Sequence, residues 1–206
     1  MLHPAALFKE LLSSIQTLGV WGYWLLGLMS FFESVAFIGW FVPGGLFVIS
    51  AGFFAANGVF DVEDIIVFAA AGTIIGEALS YYFGKQGTKF FKYENKILKL
   101  SHLEKGQKFF QRYGVKSIFI ARFIGPLRPI IPFIAGLTGI STKDFFIWNV
   151  PSGILWAILF TYLGYFFGNI WTTVHPFNNK LVLISIAVVV FTILALFTRK
   201  KLTKTE

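Results

Sequence analysis

The sequence predicts an all-α polytopic membrane protein. Its expected plan is an inverted repeat: two opposed re-entrant helical hairpins, about four full transmembrane helices and an amphipathic cytoplasmic helix. Three observations predict it. Of 206 residues, 56% are hydrophobic and 14% charged, where a soluble domain carries about a quarter charged; mean hydropathy is +0.71. Two apolar stretches are broken by Pro and Gly. Proline removes a backbone donor, and irregular backbone survives inside a bilayer only against protein or a wet cavity. Finally, Glu33, Glu77, Arg122 and Arg128 fall within apolar segments, where a charge costs about 3 kcal/mol or more unless paired or hydrated.

A single membrane domain over 1–206 is expected. The net charge of +8 gathers in membrane-flanking segments, so it reads as topology rather than nucleic-acid binding. There is no cysteine, which excludes thiol catalysis and cysteine metal ligation. The first apolar run follows Lys9 and Glu10 and continues through Trp21, Tyr23 and Trp24. It lacks a small-residue cleavage site, so a retained membrane segment is expected rather than a signal peptide.

That run, Leu11 to Phe32, is long enough to span, since about 20 residues suffice. Residues 34–56 are apolar again but interrupted at Pro43-Gly44-Gly45, the first candidate hairpin. Asp61 is placed to cap a helix with acids in its first turn, opening a span from Val62 to Gly84 that carries Glu77. Over residues 85–116, Lys85, Lys89, Lys92, Lys96, Lys99, Lys105, Lys108, Arg112 and Lys116 outweigh Glu94 and Glu104. Phe90, Tyr93, Ile97 and Leu100 recur at helical spacing, so this segment reads as a surface-lying amphipathic helix on the cytoplasmic side. Ser101 to Glu104 is a capping-box pattern, and Gly114 suits a helix end.

Residues 117–140, SIFIARFIGPLRPIIPFIAGLTGI, form the second candidate hairpin, with Pro126, Pro129 and Pro132 between and after its arginines. Ser141 to Asp144 is another capping box, opening a span from Phe145 to Gly168 with Pro151 near its start. Asn169 to Asn179 has no Lys or Arg and reads as an outer loop; Leu181 to Phe197 is the last span, before basic Arg199-Lys200-Lys201. Both termini are then cytoplasmic. The halves correspond. Ala51-Gly52, Asp61 and Tyr82-Phe83-Gly84 match Ala135-Gly136, Asp144 and Phe166-Phe167-Gly168. Halves of opposite orientation, each with a broken segment, mark an inverted-repeat transporter whose site lies where the broken segments meet.

Two acids and two bases can neutralise one another in a central cluster. Arginine's planar fork suits a phosphate and stays charged, and a half-helix amino end at a hairpin tip adds positive character. Arg122 and Arg128 are therefore the candidate substrate-binding residues, in a hydrated hollow at mid-depth. Glu33 and Glu77 are the candidate proton-coupling residues. Pro43, Gly44, Gly45, Pro126, Pro129, Pro132 and Gly136 are the candidate hairpin and hinge positions. The bland alternative for all four charges is a set of structural ion pairs. No cofactor or metal is expected: His3, His102 and His175 lack metal-ligand spacing. No enzyme motif is complete either. Arg128-Pro129 with Ser152-Gly153 partly resembles the membrane lipid phosphatases, but Ile154 stands where those need a histidine.

At these residues the chain resembles the DedA family, whose shared region is the VTT or SNARE-associated domain. The resemblance covers residues 31–168. It rests on Phe32-Glu33, Phe41-Val42-Pro43-Gly44, Ala51-Gly52, Gly76-Glu77 before Tyr81-Tyr82-Phe83-Gly84, and above all the run from Ala121-Arg122 through Arg128-Pro129 to Pro132 and Ala135-Gly136. It implies two opposed re-entrant hairpins in the bacterial inner membrane, proton-dependent transport, and for some members return of undecaprenyl phosphate across the membrane. Glu33 matches the family's embedded acid, and Arg122 and Arg128 its two arginines. Many members carry an acid where this chain has Gly45, and Asp where it has Glu77. The reading is thus a lipid transporter, flippase- or scramblase-like, for a phosphate-bearing lipid such as undecaprenyl phosphate, with proton coupling and an oligomeric state of monomer or homodimer. A proton-coupled exporter of small cations or drugs is the first alternative. A non-transporting organiser is the second, in which a charge swap between Glu33 and Arg122 restores function.

Overall fold

A computed structural model of the chain describes residues 10, 14–86, 108–125 and 127–174, the side chains of 172–174 excepted. Most of the basic 85–116 segment, its Ser101 cap, the span from Leu181, Pro126 and the three histidines lie outside the described residues. Among the described residues the regular elements are α-helices with one 3-10 turn, as an all-α reading requires. Besides helical residues at 14–16 and 108–113, they are α1 (Val20–Ser34), α2 (Gly44–Ala55), α3 (Val62–Lys85), a 3-10 turn (Gly114–Lys116), α4 (Ser117–Ala121), α5 (Ile131–Leu137) and α6 (Thr142–Val174).

The first apolar run is not one helix. Gly19 takes φ 48°, a value open to glycine because it has no Cβ, and α1 starts only after it. The first break also falls earlier than the sequence suggests. α1 stops at Ser34, a bend, turns and irregular backbone occupy 35–43, and Gly44 and Gly45 lie in the first turn of α2. Phe37 in that turn has φ 70°, a strained value for a bulky side chain. Asp61 precedes α3, but its side chain makes no cap bond; its backbone N–H donates to the Tyr23 hydroxyl at 2.9 Å. The Ser141 box forms as expected. The Asp144 N–H donates to Ser141 Oγ at 3.1 Å, and Ser141 Oγ donates to Asp144 Oδ2 at 2.7 Å. α6 continues through Asn169 to Val174 with Pro151 inside it, so the first part of the expected outer loop is helical. Nothing in 169–174 breaks a helix, and the outward reading rested only on missing charge.

Among the described residues one helix is long and apolar enough to cross a membrane, over Thr142–Trp171. α3 has the length, with 24 residues, but carries Glu63, Asp64, Glu77 and Lys85.

The packing exchanges the halves. α2 lies on α6, where a Cβ at Gly52 would meet the carbonyl of Thr161 and one at Gly164 would meet that of Ile49. α5 lies on α3, where a Cβ at Gly136 would meet the Tyr81 carbonyl and one at Gly84 that of Phe133. Such backbone approach is what small residues permit in a bilayer, where association rests on packing rather than hydrophobic gain. Under the internal repeat the two contacts correspond, displaced by one helical turn.

Two apolar cores result. One gathers Leu26, Val48, Ile65, Ala69 and Trp156. The other gathers Tyr81, Ile118, Ile131, Ile134 and Phe145, with Tyr81 stacked on Phe145 at 4.3 Å. Between them, midway along α3, lies a polar layer.

Candidate functional site: a buried layer of two ion pairs

The layer is built by helical spacing. On α3, Thr73 and Glu77 stand one turn apart on a buried face, between Ala69 of one core and Tyr81 of the other. On α6, Asn149 and Ser152 occupy the same level between Phe145 and Trp156. α1 contributes Glu33 and Ser34 from its last turn. The turn after α4 contributes Arg122, and the turn before α5 contributes Arg128. The two irregular segments touch here: a Cβ at Gly39 would lie 3.1 Å from Pro129, and Phe37 meets Phe133 edge-on at 5.3 Å.

The four charges pair as Arg122 with Glu77 and Arg128 with Glu33. Arg122 donates through Nη2 to Glu77 Oε2, to Asn149 Oδ1 at 2.6 Å and to the Asn149 carbonyl at 3.4 Å, and through Nη1 to Thr73 Oγ1 at 3.2 Å. A Cβ on Gly153 would come within 3.0 Å of Nη1, so the glycine leaves the room that the guanidinium fills. Asn149 is itself fixed by donating to the Ile74 carbonyl at 3.2 Å. Arg122 is 3% exposed and Glu77 1%. The expected hydrated hollow is therefore closed around this pair, because polar side chains of α3 and α6 take the place of water.

Arg128 is held differently. Its Nη1 lies 2.8 Å from Glu33 Oε2, without hydrogen-bond alignment. Its Nη2 donates to Thr73 Oγ1 at 3.0 Å and Ser34 Oγ at 3.2 Å, and its guanidinium sits 4.0 Å over the Trp156 ring. The Glu33 side chain is 17% exposed, the most open member of the layer. Its carboxylate lies against the backbone N–H of Gly45, at the positive amino end of α2. A Cβ at Gly44 would fall 2.8 Å from the same carboxylate, so this glycine allows the approach. Gly136 and Pro132 are buried within α5, and Pro43 precedes α2.

Sequence reasoning missed Thr73, Ser34, Asn149 and Trp156. Thr73 joins the two pairs. Its oxygen accepts from both arginines and lies 2.6 Å from Ser34 Oγ. Ser34 Oγ donates to the Ser30 carbonyl at 2.8 Å, so the Thr73 proton goes to Ser34 and both lone pairs go to guanidiniums. A hydroxyl has one donor and two acceptor sites, and all three are used. The available signal was the spacing of Thr73 one turn before Glu77. Thr73→Val keeps the shape and leaves two buried N–H groups unpaired, each costing about 1–3 kcal/mol. The variant is expected to unfold at lower denaturant in detergent, and Thr73→Ser to recover most of the loss.

Among the described residues no cluster of His, Asp and Glu could hold a metal ion.

In type, the described residues form a helical protein with a buried layer of paired charges between two apolar cores and one helix apolar and long enough to cross a membrane. The VTT domain family matches residues 42–166. The protein named DedA of Escherichia coli K12 is 37% identical over 175 residues, covering 83% of this chain and 79% of that one. An uncharacterised membrane protein of Buchnera aphidicola from Acyrthosiphon pisum is 30% identical, over 70% of this chain and 57% of its own. The inner membrane protein YqjA of Escherichia coli K12 is 29% identical, over 71% and 67%. The chain belongs to the DedA family of membrane proteins. No solved structure matches it.

Proposed function

We propose that this protein is a lipid transporter of the bacterial inner membrane, moving a phosphate-bearing lipid such as undecaprenyl phosphate with proton coupling. One observation carries the reading. The Glu33 carboxylate occupies an oxyanion seat formed by the Arg128 guanidinium and the amino end of α2. A phosphate has the same charge sign and suits the same donors. A lipid phosphate entering from the exposed side as its monoanion takes that seat, and the displaced Glu33 takes up one proton so that the layer stays neutral. Arg122, enclosed with Glu77, holds Thr73 and through it Arg128, so exchange falls on the outer pair. The two broken segments act as re-entrant hairpins opening from opposite faces, with the basic 85–116 segment cytoplasmic. The layer moves a headgroup and breaks no bond, so the protein is a carrier and not an enzyme.

The test is flux in proteoliposomes, with undecaprenyl phosphate against an ordinary phospholipid, each with and without a pH gradient. Faster movement of the polyprenyl phosphate, driven by the gradient, is expected. Equal, gradient-independent movement of both overturns the reading.

The enclosure of Arg122 and Glu77 favours a second reading, a non-transporting organiser whose charges only hold the fold. The pairing places Glu33 with Arg128, so the informative swap is between these two rather than Glu33 and Arg122. If pairing suffices, Glu33→Arg with Arg128→Glu restores function in cells. Under the transport reading it does not, because the oxyanion seat at α2 then holds a cation.

A further inference from the structure

Ser80 follows Glu77 by one turn of α3 and serves the first irregular segment rather than the ion pairs. It is fully buried. Its hydroxyl accepts from the Ala36 N–H at 2.7 Å and donates to the Ser34 carbonyl at 3.1 Å, sharing that proton with the Gly76 carbonyl at 3.0 Å. Both groups on the α1 side need such a partner. The last carbonyls of a helix have no intrahelical donor, and Ala36 is buried. Ser34 is thereby held twice on α3, by its side chain at Thr73 and by its carbonyl at Ser80. The two holds lie about 10 Å apart along the helix, at 1.5 Å per residue. Glu33 is the residue just before them.

Beyond Ala36 the segment turns back toward both members of the outer pair. Phe37 has φ 70°, a conformation that persists only where its surroundings impose it. The Ala36 bond to Ser80 stands before it, and its own ring is lodged against Phe133. The Gly39 N–H donates to the Val35 carbonyl at 2.9 Å. A Cβ on Gly39 would meet the Glu33 carbonyl and, at 3.1 Å, Pro129, the neighbour of Arg128. We propose that Ser80 is a positioning residue: by tying the first irregular segment to α3, it sets where the Glu33 carboxylate stands between Arg128 and the amino end of α2. What Glu33 does there rests on the transport reading; that Ser80 places it does not. Without the hydroxyl, Glu33 parts from Arg128 with no headgroup present to take the seat.

The full-length protein in liposomes is treated with a hydrophobic carbodiimide, which adds to carboxyl groups, and the rate at each glutamate is read by mass spectrometry. Ser80→Ala should raise the rate at Glu33 about tenfold, the scale on which losing one buried hydrogen bond shifts a local equilibrium, and leave the enclosed Glu77 unchanged. Ser117→Ala removes a buried hydroxyl that has no hydrogen-bond partner among the described residues, and should leave Glu33 at the wild-type rate. A second variant separates placement from stability. Ser80→Ala with Ala36→Pro removes acceptor and donor together, so no N–H is left orphaned. Val35 is extended, at φ −77° and ψ 130°, as the residue before a proline prefers. This double variant should regain most of the denaturant resistance lost in Ser80→Ala and still show fast modification at Glu33. If Ser80→Ala does not fold, the double variant carries the comparison alone. A wild-type rate at Glu33 in either variant overturns the inference, as does Glu77 reacting as fast as Glu33. Flux is measured on the same vesicles. Fast Glu33 modification in the variants with no flux from the wild type supports the placement and sinks the transport reading; flux from the wild type with Glu33 unchanged in the variants does the reverse.

Discussion

Arg128→Lys abolishes most lipid-phosphate flux while the protein remains folded; that is the first expected result. A lysine keeps the charge and can still meet Glu33. It lacks the planar fork that reaches Glu33, Thr73 and Ser34 together while lying flat on Trp156. Loss of one charge-assisted hydrogen bond is worth about 1.5–3 kcal/mol, or roughly tenfold to more than a hundredfold in the affinity of the seat. Flux in proteoliposomes measures it, and circular dichroism with gel filtration checks the fold. Flux at the wild-type rate would remove Arg128 from the headgroup seat.

Arg122→Met has a different signature. It removes the partner of a carboxylate that is almost wholly enclosed. Breaking such a pair costs about 3–5 kcal/mol, because the remaining charge is left uncompensated, whereas replacing both members by apolar groups of similar volume is often near neutral. Arg122→Met is therefore expected to lower stability in a detergent unfolding titration by that amount. The double variant with Glu77→Met should regain most of it. Removing Arg128 should cost less, since the Glu33 it leaves behind retains access to water. A double variant as unstable as the single one would mean that Asn149 and Thr73, not Glu77, are what Arg122 chiefly supports.

The sequence made the four charges legible because ionisable residues in apolar segments are costly and so stand out. Their joining in one layer followed from neutrality. Which acid meets which base did not, since that depends on where two irregular turns place Arg122 and Arg128. The dry enclosure of Arg122 was missed for a related reason. Thr73, Asn149 and Gly153 are unremarkable in a membrane span, and only the approach of α3 and α6 turns them into a guanidinium's surroundings. Helices α3 and α6 were legible from their capping residues and apolar length. The true first break was not, because Pro43-Gly44-Gly45 reads as an interruption. The glycines instead serve α2 by letting its amino end reach Glu33.

The exchange of partners between halves bears on how the chain is made. The glycine face of α2 is ready long before its counterpart on α6 has been translated, so the amino-terminal half enters the bilayer with one side of its shorter helix unmatched. Assembly has to wait for the last described helix to arrive, and neither half is a self-sufficient folding unit.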